Sequence, residues 1–134
     1  MVVKQVLFKY GNDETEVFNV TKVSVKTETE DSQEATFSGT LSSFTITGYS
    51  IDIERIALES KEKYKKLIDI CDHAANEGIQ ITTMEERLIG DESFVEKIHY
   101  FDCKGSGEVE ISPGNTYTTE KLSFKASSRK RDDL

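Results

Sequence analysis

The side chains able to do chemistry in this chain are few and scattered. His73 and His99 are its only histidines, and Cys71 and Cys103 its only cysteines. Asp69, Cys71, Asp72 and His73 come nearest to a metal-binding run, since carboxylate, thiolate and imidazole all hold zinc. Adjacent residues of a helix point apart, so no metal site is expected there. His73 reads as a solvated residue near a helix end, and His99 as a packed or paired residue within a strand. Gly105-Ser106-Gly107 carries only two glycines and is followed by Glu108. It reads as a flexible loop rather than a phosphate cradle, and no GxGxxG or P-loop run is present. Glu85 and Glu86 are adjacent acids. Acid–base work requires a carboxylate that is buried or faces a second one across a cleft, and nothing in the sequence marks either of them so. Ser32 and Thr118 have no base partner. The expectation is no catalytic residue, no cofactor and no metal, hence no enzyme.

Size and charge narrow the reading further. A chain of 134 residues makes one domain with a modest core. Its 17 basic and 25 acidic residues leave a formal net charge of −8, which opposes a nonspecific grip on nucleic acid or on an anionic membrane. Two cysteines in a chain of this length are not a disulfide framework, so both are expected as free thiols in a reducing compartment. No apolar run approaches a membrane span and no signal-like stretch follows the start, so no membrane partner is expected.

The elements that must position these residues are mostly strands. Lys4–Tyr10 alternates, with Val6, Phe8 and Tyr10 on one face, and Gly11-Asn12-Asp13 signals a turn. Phe18 and Val20 share one parity and Val23 and Val25 the other, which predicts a bulge near Thr21-Lys22 or two short strands. Phe44 and Ile46, then Tyr49, Ile51 and Ile53, change parity across Gly48, where a bend is easiest; Ile56 and Leu58 shift again. Ser60–Glu77 is the one clear helix. Its apolar face would be Tyr64, Leu67, Ile68, Cys71 and Ala75, with Ser60 as N-cap and Gly78 just past the end. Glu59–Lys63 and Glu62–Lys66 would pair on its wet side. Ile79–Arg87 and Phe94–Cys103 are strands around a turn at 89–93. Glu108–Ile111 is a short or edge strand, and Pro113-Gly114-Asn115 a turn. Lys121–Ser127 is a strand with Leu122, Phe124 and Ala126 inward. The fold class expected is mainly β: a sandwich or barrel-like domain over residues 1–127 with one flanking helix and a long hairpin. A charged, flexible tail follows over 128–134.

The long hairpin is the feature that points beyond a monomer. Val17–Lys26 runs through an acidic segment into Ala35–Leu58, and strands that overrun a small core gain little unless they pair with another copy. Glu28, Glu30, Asp31 and Glu34 form a solvated tip or a repulsive surface. Arg129, Lys130 and Arg131 form a basic counterpart, since the last fifteen residues carry five basic and three acidic groups. A basic tail meeting an acidic surface of the next copy would guide registration.

Thr36-Phe37-Ser38-Gly39-Thr40-Leu41, Gly48–Ile56 (GYSIDIERI), the single helix over 59–78, Phe94–Cys103 (FVEKIHYFDC) and Leu122–Ala126 (LSFKA) together resemble, in order and architecture, a tail tube protein of long-tailed bacteriophages or phage-like particles. The resemblance covers most of the chain. It implies a β-sandwich that forms hexameric rings stacked into a hollow tube, through which DNA passes during ejection. It implies self-association and contacts with tape measure, terminator, distal tail or sheath proteins, assembly in the host bacterial cytoplasm and residence in the virion tail. Under it, Glu28, Glu30, Asp31 and Glu34 become lumen or ring-edge residues, and Arg129, Lys130 and Arg131 inter-ring residues. The competing classes are a single-ring head–tail connector or terminator, and a sandwich that binds a protein partner.

Overall fold

The computed structural model describes residues 2–36, 39–110 and 118–132, with side chains over 5–31, 44–105 and 118–132. The predicted turn at Pro113-Gly114-Asn115 lies outside them. Strands β1 (Val2–Tyr10) and β2 (Asp13–Glu16) form a hairpin around Gly11-Asn12, and β3 (Val20–Thr36) and β4 (Gly39–Ala57) form the long ribbon. Helix α1 (Lys61–Ala74) follows, then β5 (Ile79–Ile89), β6 (Glu92–Glu110), β7 (Thr118–Ala126) and β8 (Ser128–Arg131). The sheet order is β2-β1-β5-β6-β7-β4-β3, with β8 added beside β6, and every pairing is antiparallel.

Two sheets arise because β6 serves both. Up to Cys103 it pairs with β5, and from Lys104 onward it pairs with β7. The turn between sheets is made at Asp102, whose φ of 52° places it in the left-handed region that Asp tolerates better than most residues. The opposite corner is Ser127, where the chain passes from β7 to β8. Its amide donates to Phe101 O at 3.1 Å and its hydroxyl to Asp102 Oδ2 at 3.2 Å. The first sheet is therefore β2-β1-β5-β6-β8 and the second β6-β7-β4-β3. The core lies between them: Phe8 meets Phe124 edge-on at 5.3 Å, and Tyr49 meets Tyr100 at 6.1 Å. Val6, Ile81 and Ile98 from one sheet and Ile51, Ile53 and Leu122 from the other complete it.

Two of the three predicted parity breaks are present, while at Ile56 the β4–β7 register runs on without a shift. The register shifts between Val20 and Lys22, and again where Glu28 pairs with Gly48 but Thr29 with Ile46. A side chain at Gly48 would bring its Cβ to 2.7 Å from Ala126 O, so the bulge sits where the neighbouring strand leaves no room.

The structure corrects several expectations. The helix ends at Ala74, and Gly78, with φ 84°, belongs to the turn into β5 rather than to the helix cap. Ser60 caps the N-terminus as expected, accepting from the Lys63 amide. The buried face is Leu67, Ile70 and Ala74 with Cys71 against it, while Ala75 is exposed. Both phases satisfy a helical period; packing on β1, β2, β5 and β6 selects one. Glu59 pairs with Arg55 rather than Lys63, and the Lys63 ammonium lies over the Phe18 ring at 4.8 Å. Gly105-Ser106-Gly107 is not a loop but the middle of the β6 segment paired with β7. A Cβ at Gly105 would stand 1.9 Å from Ser123 O, so glycine here lets two backbones approach. The charged segment from Ser128 supplies strand β8, paired with Ile98–Phe101 of β6.

Candidate assembly interface

The second sheet has two open edges among the described residues. β3 ends the strand order on one side. On the other, Lys104–Glu110 of β6 pairs only with β7, because β5 stops at Cys103 and β8 spans Ile98–Phe101. The four strands alternate in direction. A second copy placed edge to edge would therefore set its 104–110 segment antiparallel to β3, continuing the same pattern. Open edges this long are normally blunted or covered.

Among the described residues no second sheet covers the ribbon beyond the Thr27–Tyr49 pair. Residues 28–36, at about 3.3 Å each, carry it roughly 30 Å further. Register places Ile46 and Phe44 on the same face as Ile51 and Ile53, yet Phe44 is 71% and Ile46 56% exposed, against 0% for both isoleucines below. Leu88, Ile89 and Val95 at the β5–β6 hairpin are exposed as well. Val23 and Val25 of edge strand β3 line one cleft of about 140 Å³ with Glu85 and Arg87. The β5–β6 tip at Gly90-Asp91, three to four residues beyond Arg87, thus emerges on the β3 side.

Two buried ionic clusters brace this framework. Arg55, fully buried at the end of the inward row Ile51–Ile53, donates through Nε to Phe18 O at 3.1 Å and through Nη2 to Glu59. Its Nη1 lies 3.3 Å from Glu120 Oε2, outside hydrogen-bond alignment. Burial first, then the neighbouring Glu120 carboxylate, raises the Tyr64 pKa. Helix, ribbon and β7 are pinned at one point. In the second cluster Glu85 and Glu96, 3% and 6% exposed, lie directly across from each other on β5 and β6. Like charges so placed repel. Arg87 bridges them at 2.9 Å and 3.0 Å, and Arg131 of β8 reaches Glu96 at 3.0 Å. The bond to Glu85 is the main cause that raises the Arg87 pKa.

The remaining chemical groups are accounted for by packing. His99 sits between Thr82 Oγ1 at 2.9 Å and Asp132 at 3.1 Å. Thr82 is buried, so this Asp–His–Thr line ties β8 to the sheet rather than presenting a nucleophile. The His73 ring stacks on Tyr10 at 3.9 Å, and the Tyr10 hydroxyl donates to Glu77. Burial pushes both the Cys71 and Cys103 thiols up to about 12, and they are not joined. Among the described residues no group of three His, Cys, Asp or Glu is close enough to hold a metal ion. No helix there is long and apolar enough to cross a membrane.

The sequence-predicted residues fall in two places. Glu28 is half-buried and accepts from the Ser50 hydroxyl; Glu30 is exposed and shares its face. Asp31 is exposed on the opposite, Phe44-bearing face, and the Glu34 side chain lies outside the described residues. Arg129 stacks over Tyr49 at 4.4 Å and Arg131 binds Glu96, so both guanidinium groups are engaged within the subunit, while Lys130 is exposed. Sequence reasoning missed the buried Arg55, Glu59, Glu85, Glu96 and Glu120. Parity was the available signal: Arg55 continues the inward row 51–53, Glu85 the row 79–81–83, and Glu120 the row 122–124–126.

No family model and no curated protein matches the sequence. Solved structures do match in shape. A chain of the sheath–tube complex of an extracellular contractile injection system in the extended state aligns with TM-score 0.63 and 11% identity, over 97% of this chain and 89% of that one. This chain has the fold of a contractile-injection-particle component. A chain of the anti-feeding prophage cap, which terminates a tube, aligns with TM-score 0.62 and 10% identity over 96% and 88%. One from the six-fold symmetrised anti-feeding prophage baseplate aligns with TM-score 0.58 and 11% identity over 96% and 91%. At such identity the fold is what is shared, and it is the β-sandwich with flanking helix and long hairpin expected from sequence.

Proposed function

We propose that the protein is a structural subunit whose copies join edge to edge into rings, six to a ring, and that the rings stack into a hollow tube of a phage tail or phage-like injection particle. The observation that carries this reading is the second sheet: four alternating strands, open at both β3 and the 104–110 segment, extended by a ribbon whose apolar face has no cover. Edge-to-edge addition of one kind of surface to another closes into a ring when the rotation allows it, and closure removes every open edge. In the ring, one face of the second sheet becomes the lumen wall. The β5–β6 tip, on the β3 side, reaches toward the neighbour, and the ribbon reaches toward the adjoining ring. The tube acts passively, as a conduit of fixed bore for a passenger. Its ends and outer surface meet the other components of the particle, such as a terminator, a distal tail protein or a sheath. Particles form in the host bacterial cytoplasm.

Negative-stain electron microscopy of the purified protein at rising concentration tests this. Open-ended hollow tubes of evenly spaced rings are expected. Single closed rings would make the protein a connector or cap instead. Persistent monomers, even with an initiating complex present, would overturn the reading.

A further inference from the structure

The wall that such a tube would present is not uniformly acidic. Paired residues of an antiparallel sheet share a face, so the register Lys26–Ser50–Lys125–Lys104 defines one row across all four strands of the second sheet. This row lies on the face turned away from the core, since the alternate residues Val25, Ile51 and Phe124 pack inward. All three lysines are exposed, and none makes an ion pair or hydrogen bond among the described residues. Lys104 and Lys125 lie directly opposite each other, a placement that destabilises the isolated sheet. The carboxylates nearest along the strands bond to serines rather than to these lysines: Glu28 accepts from Ser50, and Asp52 from Ser123 at 2.7 Å. A chain of net charge −8 thus carries a row of three lysines, none of them in an ion pair among the described residues.

We infer that the Lys26–Lys125–Lys104 row is a docking band for an acidic polypeptide segment, the passenger of the lumen; the placement inside a lumen rests on the tube reading above. The depth of the band favours polypeptide over nucleic acid. Same-face neighbours along a strand are about 7 Å apart. A nucleic-acid strand carries a charge about every 3.4 Å along its axis, so it cannot reach the lysines without also facing the Glu28 and Asp52 rows. A protein segment can place a few carboxylates at the band and none beside it. Repeated in each copy of a ring, the band would hold such a segment at one level while the flanking rows repel it.

The test uses a fluorescent twenty-residue peptide with three adjacent glutamates flanked by neutral Gly-Ser repeats, and an oligodeoxynucleotide of equal charge. Each is titrated by anisotropy against unassembled protein and co-sedimented with assembled material whose form is checked by electron microscopy. The wild type is expected to bind the acidic-cluster peptide more tightly than DNA, with loss at high salt. The K26T/K104T/K125T variant should bind it about ten-fold more weakly or worse. K61Q/K65Q/K66Q, which removes the same charge from the helix, should not. Tighter binding of DNA, no binding of either probe, or equal loss in both triple variants overturns the proposal. A lysine-row variant that folds but no longer assembles assigns the row to a contact between copies and overturns it too. Absence of tubes refutes the tube reading alone, because anisotropy on the unassembled protein still decides the band.

Discussion

The two halves of the β3–β4 ribbon are the same two strands in the same pairing, yet they do different things. In the lower half Ile51 and Ile53 face the first sheet and are sealed from water. In the upper half Phe44 and Ile46 hold the same face and stand in solvent. An alternating pattern fixes which side a residue takes; whether that side is covered depends on how far the opposing layer extends. The lower half therefore belongs to monomer stability, and the upper half contributes little to it.

Substitutions can break or sharpen this division, beginning with the largest effect. Arg55→Leu, at the foot of the lower half, leaves Glu59 and Glu120 buried without their cation. It is expected to lower the unfolding free energy by about 3–5 kcal/mol in urea titration. A loss below about 1 kcal/mol would mean that the cluster does not anchor the ribbon. Ile53→Ala removes packing from the covered half and should cost about 2–5 kcal/mol by the same measurement. Gly105→Ala pushes a Cβ into the Ser123 carbonyl across the β6–β7 pair, and a loss of about 1–3 kcal/mol or more is expected; a neutral outcome would show that the two strands separate easily.

Raising the pH tests the covered body through its two thiols. The Cys71 and Cys103 thiols titrate at an ordinary value of 9.0 when unfolded but at about 12 when buried. Folding then favours the protonated form. This contribution is complete below pH 9 and is lost as pH rises toward about 12. Thermal melts across that interval should show a steady fall, and native thiols should react slowly with a disulfide reagent at pH 8 while denatured ones react fast. The smallest effect on stability is expected from Phe44→Ser with Ile46→Ser, within about 0.5 kcal/mol per site, since neither side chain is packed. If the wild type forms tubes as proposed, the same double variant should fail to form them at the same concentration. A large loss of monomer stability would place the upper half in the body after all.

Local chemistry determined much of this protein. Alternation located β1 and β7, side-chain parity located both ribbon bulges, and Ser60 marked the start of the helix. Each of these depends on a few neighbouring residues, and a strand period or a capping hydroxyl can be read without knowing what lies opposite. The long hairpin was also visible, as strands that overrun a small core. Only the tertiary structure decided which helix phase is buried, because two are compatible with one period and the packing sheets choose between them. It turned the Gly105 segment from a predicted loop into a strand, because the reason for glycine there is a carbonyl eighteen positions away in the chain. It placed Arg55, Glu85, Glu96 and Glu120 in the interior, where each charge is tolerable only beside a partner from another element. It also drew three lysines from β3, β6 and β7 into one row, which no window of sequence shows, since register is set by pairing across strands and not along them.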